Sequence, residues 1–167
     1  MAQTTKDILK EALILEMKAK AFYTNVAETT KSVAAKNLFE MMAREESQHI
    51  DYLLDQLNNL KDNNTFVKPK DYNDTSTEEL SNEVLTEQLK KEISGAGFEA
   101  AAISAAIDFE TRTVEVYDKR AREAIDPNEK EFYRMMADWE SEHQKDLHYI
   151  STELKEHVWN NNKFWSF

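Results

Sequence analysis

Apolar residues recur along most of this chain in alternating steps of four and three, the spacing of the inward face of an α-helix. The first such stripe, Ile8, Ala12, Glu16, Ala19, Tyr23 and Val26, predicts a helix over residues 5–29. Thr29-Thr30-Lys31-Ser32 is then a short polar connection, with Ser32 able to cap the next helix. A second stripe, Ala35, Phe39, Met42, Glu46, His49, Leu53, Leu57 and Leu60, predicts a helix over 33–60. A third, Ile103, Ala106, Glu110, Thr113, Tyr117, Ala121 and Ala124, predicts one over 98–124. Asp126-Pro127-Asn128-Glu129 opens the fourth, with Asp at the cap, Pro at the first helical position and Glu two further on. That helix is expected to run over 127–157, with Tyr133, Met136, Glu140, His143, Leu147, Ile150 and Leu154 inward.

The pattern weakens in two places. Residues 61–97 form a long connection. Its polar first part, Lys61 to Ser76 with Pro69, reads as an extended loop. Ser76-Thr77-Glu78-Glu79 then resembles a capping box, and Leu80, Val84, Leu85, Leu89 and Ile93 suggest a short amphipathic helix lying on the bundle and ended by Gly95-Ala96-Gly97. A connection of this length lets the third helix run parallel to the second, whereas a short loop forces an antiparallel neighbour. The tail, 158–167, carries Trp159, Phe164, Trp165 and Phe167 among asparagines; it either packs on the bundle or a partner subunit or frays. The expectation is one all-α domain over 1–167, a four-helix bundle made of two antiparallel hairpins.

The inward stripes contain residues that a core does not need. Met41-Met42-Ala43-Arg44-Glu45-Glu46-Ser47-Gln48-His49 returns 94 positions later as Met135-Met136-Ala137-Asp138-Trp139-Glu140-Ser141-Glu142-His143. The same offset places Glu110 on Glu16 and Tyr117 on Tyr23. Each half therefore supplies a Glu and then a Glu-x-x-His, whose members share a helix face. Read alone, Glu16 would be an edge residue, because Leu13 and Leu15 allow its stripe to be drawn differently. The spacing argues otherwise. Glu16 and Glu46 each lie 15 residues from Lys31, and Glu110 and Glu140 each lie 15 from Ile125. Each hairpin thus brings two carboxylates to one height, and the repeat brings the hairpins together there. Four carboxylates at one buried level cost several kcal/mol or more per ion in lost hydration. Two divalent cations neutralise them, and four Glu with two His form the ligand set of a di-metal site in a helical bundle. Oxygen and imidazole donors suit iron or manganese, and zinc as a substitute. Tyr23 and Tyr117 either hydrogen-bond the ligand carboxylates or fill the core. Trp139, beside Glu140, either packs or carries oxidising equivalents outward.

Composition narrows the partners. Thirty-two acidic against 21 basic residues give a net charge of −11, and no basic cluster occurs, so nucleic acid and anionic membranes are not expected. The sequence has no cysteine, which removes disulfides, thiolate chemistry and Cys-bound metal from these residues. Met1 to Asp7 turns polar at once, and no run reaches about 18 apolar residues, so a cytoplasmic protein is the expectation.

Glu16 with Tyr23, Glu46-x-x-His49, Glu110 with Tyr117 and Glu140-x-x-His143 resemble the ferritin-like superfamily, most closely the erythrin domain of rubrerythrins. The resemblance covers the four long helices. It implies a non-haem di-iron centre with Glu46 and Glu140 bridging and with Glu16, Glu110, His49 and His143 terminal. It also implies reduction of hydrogen peroxide, commonly by a homodimer or larger assembly. Two departures stand out. The four-cysteine rubredoxin domain usual in rubrerythrins has no counterpart in this cysteine-free sequence, so electrons are expected from a separate donor such as a rubredoxin or a flavoprotein. The additional Glu that rubrerythrins carry one turn after the third-helix ligand is Thr113 here. The remaining six donors look like those of bacterioferritin, but Ser47 stands where that protein has its haem-ligating Met, so no haem is implied. The leading expectation is a peroxide reductase. A ferroxidase or iron-handling protein acting with dioxygen or peroxide is the alternative, and a helical interaction protein with a structural metal pair is the third reading.

Overall fold

Thr4 starts the first helix. Its hydroxyl accepts from the Asp7 amide, and the Asp7 carboxylate accepts in return from the Thr4 amide and hydroxyl. In the computed structural model, which describes residues 4–63, 65–68, 82–93 and 97–161, the chain forms five helices. They are α1 (Thr5–Thr29), α2 (Val33–Asn63), α3 (Asn82–Glu92), α4 (Phe98–Glu123) and α5 (Pro127–Asn161). The architecture is the expected ferritin-like four-helix bundle, and no strand occurs among the described residues. None of the helices described is long and apolar enough to cross a membrane.

The hairpins α1–α2 and α4–α5 are the two closely packed pairs. Ser32 caps α2 as expected, accepting from the Ala35 amide at 3.0 Å. Asp126 caps α5, accepting from the amides of Asn128 at 2.7 Å and Glu129 at 3.1 Å. Contacts at the bundle ends fix how the hairpins run. Thr30, just past α1, bonds Glu99 at the start of α4 (2.6 Å), and Ser32 bonds Glu92 at the end of α3 (2.8 Å). Both α2 and α4 therefore start at the same end and run parallel, as the long connection allowed. At the opposite end Gln56 of α2 pairs with both backbone groups of Val67 (2.8 and 3.1 Å), and Asn128 donates to the Phe66 carbonyl (3.1 Å). The connection leaves from this end and returns to the other through α3, which lies against α2 and α5 and is tied to α5 by Lys90–Glu153 (2.6 Å).

Several element ends differ from the sequence expectation. Helix α2 continues through Lys61 to Asn63, with Lys61 placed favourably against the negative end of the helix dipole. Helix α5 runs on to Asn161, so Trp159 belongs to the helix and is 76% exposed rather than packed on the bundle. Val84, expected inward, is exposed, while Leu85, Leu89 and Ile93 are buried. Leu9 takes the buried place expected for Ile8. Leu57, Leu60 and Ala124 are only half-buried. Pro69, the Ser76–Glu79 segment, Leu80, Gly95, Ala96, Phe164, Trp165 and Phe167 lie outside the described residues.

The buried apolar residues form two clusters rather than one. One, at the α1–α2 turn end, holds Val26, Phe39, Met42, Leu89, Ile103, Leu147 and Ile150 around Tyr23. The other, toward the α4–α5 turn, holds Leu9, Leu53, Phe66, Phe132, Tyr133 and Met136 around Tyr117. Between them lies a layer of buried charge.

Candidate metal centre

Glu16, Glu46 and Glu140 are wholly buried and Glu110 is 1% exposed. His49 is 4% exposed, and the His143 side chain 13%. Glu16, read alone as an edge residue, is thus in the core. All six come together in two overlapping groups: Glu16, Glu46, His49 and Glu140, and Glu46, Glu110, Glu140 and His143. Within each group one donor atom per residue lies within 4.8 Å of the others. The two groups share Glu46 and Glu140.

The separations bring the donor atoms close to one another, most of them slightly wider than ligands around a bound ion. His49 Nδ1 stands 2.8 Å from Glu140 Oε1, 3.4 Å from Glu46 Oε2 and 3.6 Å from Glu16 Oε2. His143 Nδ1 stands 3.5 Å from Glu140 Oε2, 3.9 Å from Glu46 Oε1 and 4.0 Å from Glu110 Oε1. Metal bonds of about 2.1 Å to nitrogen and oxygen put neighbouring donors about 3.0–3.4 Å apart. Despite these approaches, both oxygens of Glu46 and Glu140, Glu16 Oε2, Glu110 Oε2 and both Nδ1 atoms have no aligned hydrogen bond. Buried polar atoms are almost always paired. Here eight of them converge without an aligned hydrogen bond, which fits a pair of cations.

The charge cluster perturbs its own titration. Burial, with Glu140 adding repulsion, raises Glu46 well above the ordinary carboxyl value. The same causes push Glu110 up to about 9. Burial opposes charge on Glu140 too, but the imidazoles of His49 and His143 outweigh it and hold Glu140 well below that value. Burial also disfavours imidazolium, yet Glu140, Glu16 and Glu46 raise His49, and Glu140, Glu45 and Glu110 raise His143. The metal-free cluster therefore relieves its repulsion by keeping protons. Cations that displace those protons satisfy the same demand.

Both tyrosines bond carboxylates of the cluster, and they do so across the bundle. Tyr23 of α1 donates to Glu110 Oε1 of α4, and Tyr117 of α4 donates to Glu16 Oε1 of α1. Burial and the adjacent carboxylates raise both phenols well above their usual value, so they remain donors. Each stands in a different apolar cluster and closes the polar layer from one side. Thr113 is buried, but its hydroxyl donates to the Phe109 carbonyl (3.1 Å) and not to the donor set.

Two neighbours reach the histidines from outside. Glu45 Oε2 lies 2.9 Å from His143 Nε2. The Trp139 indole lies parallel to the His49 ring, with centroids 5.4 Å apart and planes 6° apart, and its centroid is 5.0 Å from that of Tyr52. The contact with His49 makes Trp139 a packing partner of the site. Sequence reading missed Glu45; the signal for it was that 94 positions separate it from Trp139, so the repeat already set the two residues at equivalent places.

A protein-family model described as rubrerythrin matches residues 7–151 of the chain, which includes every one of these residues. Comparison with curated proteins and with solved structures gave no match.

Proposed function

The chain belongs to the rubrerythrin family of non-haem di-iron proteins, and on that premise we propose that it is a di-iron oxidoreductase that reduces hydrogen peroxide to water. The observation that carries the reading is the pair of overlapping donor groups sharing Glu46 and Glu140. In this reading Glu46 and Glu140 would be shared by two ions. Glu16 and His49 complete one end, and Glu110 and His143 the other. Bound iron supplies two electrons and the Lewis acidity that O–O cleavage needs.

The chain's own residues do the rest. Four carboxylates balance the charge of two divalent ions, so the loaded site is neutral within its buried layer. Tyr23 and Tyr117 hold Glu110 and Glu16 in place, and their hydroxyl protons lie one hydrogen bond from the donor oxygens. The two apolar clusters exclude water from either end of the layer. The absence of cysteine means that the four-thiolate iron site of a rubredoxin is not among these residues, so re-reduction falls to a donor such as a rubredoxin or flavoprotein. A homodimer, a cytoplasmic setting and a single folded unit over 1–167 belong to the same proposal.

A ferroxidase reading uses the same six donors and is favoured by one observation. Thr113 occupies the place of the family's extra carboxylate, and its hydroxyl is turned to backbone. Kinetics separate the two. Anaerobic Fe(II)-loaded protein mixed with peroxide should consume one peroxide per two irons, keep both irons through repeated cycles of chemical re-reduction, and react with dioxygen more slowly. Iron that leaves as ferric product after each turnover, or a faster reaction with dioxygen, would establish the ferroxidase instead.

A further inference from the structure

The 94-residue repeat makes the six donors nearly symmetric, but it does not treat the two histidines alike. Position 45 in the first half corresponds to position 139 in the second. Each side chain crosses to the histidine of the opposite half. Glu45 places a carboxylate oxygen 2.9 Å from His143 Nε2, whereas Trp139 lays its indole flat against His49. Every carboxylate contact of His49 among the described residues is made through Nδ1, on the donor side. One imidazole is therefore tethered to a carboxylate through its outer nitrogen, and the other is steadied by a stacked ring.

This difference has a chemical consequence. A carboxylate that accepts from Nε2–H fixes the tautomer with Nδ1 free, orients the ring and makes Nδ1 a more basic donor. A stacked indole orients the ring without adding basicity. Resting on the di-metal reading above, we infer that Glu45 is a positioning residue that makes the His143 end the tighter of two unequal metal subsites, and that Trp139 leaves the His49 end the weaker. The pair breaks a symmetry that the ligands themselves retain.

Co(II) binding to the whole chain tests the inference without any turnover. Titration in competition with a chromophoric chelator should resolve two steps in wild type. Glu45→Gln keeps the side-chain shape and lies at a partly exposed position. It should weaken the tighter step about 10-fold, and Glu45→Ala up to about 100-fold, the range seen when outer partners of metal ligands are lost. The weaker step should stay unchanged. Trp139→Glu recreates the carboxylate at the equivalent position and should tighten the weaker step until the two converge. Both steps falling together in Glu45→Gln, or neither moving, overturns the inference while leaving a di-metal site intact. Wild type that binds no pair of Co(II) ions removes the di-metal reading and this inference with it.

Discussion

Tyr23 of α1 donates its phenol hydrogen to Glu110 of α4, a residue 87 positions away in the other half of the repeat. Tyr117 returns the same bond to Glu16. Each half thus steadies the other half's carboxylate, and the two hairpins meet through the site as much as through apolar packing. Tyr23→Phe should leave a buried carboxylate oxygen without its donor. A hydrogen bond to a charged acceptor contributes about 1.5–3 kcal/mol, so thermal or denaturant unfolding of the metal-loaded variant should fall by about that amount. Tyr117→Phe should behave alike through Glu16. A loss below about 0.5 kcal/mol would mean that the tyrosines only fill space.

The metal-free protein should lose stability as pH rises from about 4.5, the ordinary carboxyl value, to about 9. Glu46 and Glu110 have folded values raised above their unfolded ones, with Glu110 pushed up to about 9. In that window the unfolded chain has released the proton and the folded chain has not. Raised values for His49 and His143 act in the same direction as pH climbs through them. Glu140, held low, acts only in acid, where stability is lost as pH falls through its folded value. Each retained proton gives a slope of about 1.4 kcal/mol per pH unit. Melts in chelator at stepped pH should show the decline, and the increment on adding Mn(II) should grow with pH because binding releases protons. A flat chelated profile would count against the buried cluster.

Glu46→Gln with Glu140→Gln removes the two shared carboxylates. The metal-free double variant should be less stable than metal-free wild type at pH 7–8, because Glu140 is held ionised by His49 and His143 and its loss leaves their charge without its nearest partner. It should also lose the gain that metal gives, which for wild type is about 2.7 kcal/mol at free metal 100-fold above Kd. Paired melts with chelator and with Mn(II) measure both. A metal-insensitive wild type would defeat the di-metal reading.

Gln56 should prove structural rather than functional. Its amide pairs with the Val67 carbonyl and N–H, fastening the start of the long connection to α2. Gln56→Leu should cost about 1–3 kcal/mol through the unpaired backbone groups. Hydrogen exchange at residues 65–68 should quicken, while the stoichiometry of bound Co(II) should stay at that of wild type.

The sequence by itself determined the four long helices and most of their inward faces, because a stripe of steps of four and three survives whatever the helix later packs against. It also picked out the six residues that the fold brings together in one buried layer. Two Glu-x-x-His motifs with matched upstream Glu, all at equal distance from their turns, point at one level of the bundle before any contact between helices is known. The tertiary structure decided what depends on contacts between halves. Which tyrosine serves which carboxylate was open, since the seven-residue spacing from Glu16 to Tyr23 suggests a partner on the same helix while the bond forms across the bundle. Glu45 looked like one charge among many, and only the approach of α5 set it against His143. That Trp139 lies against His49, in the opposite half of the repeat, was likewise set only by the approach of the two hairpins. The physical reason is common to all three. Periodicity says which way a side chain leaves its own helix, and only the packing of hairpin on hairpin says what it meets there.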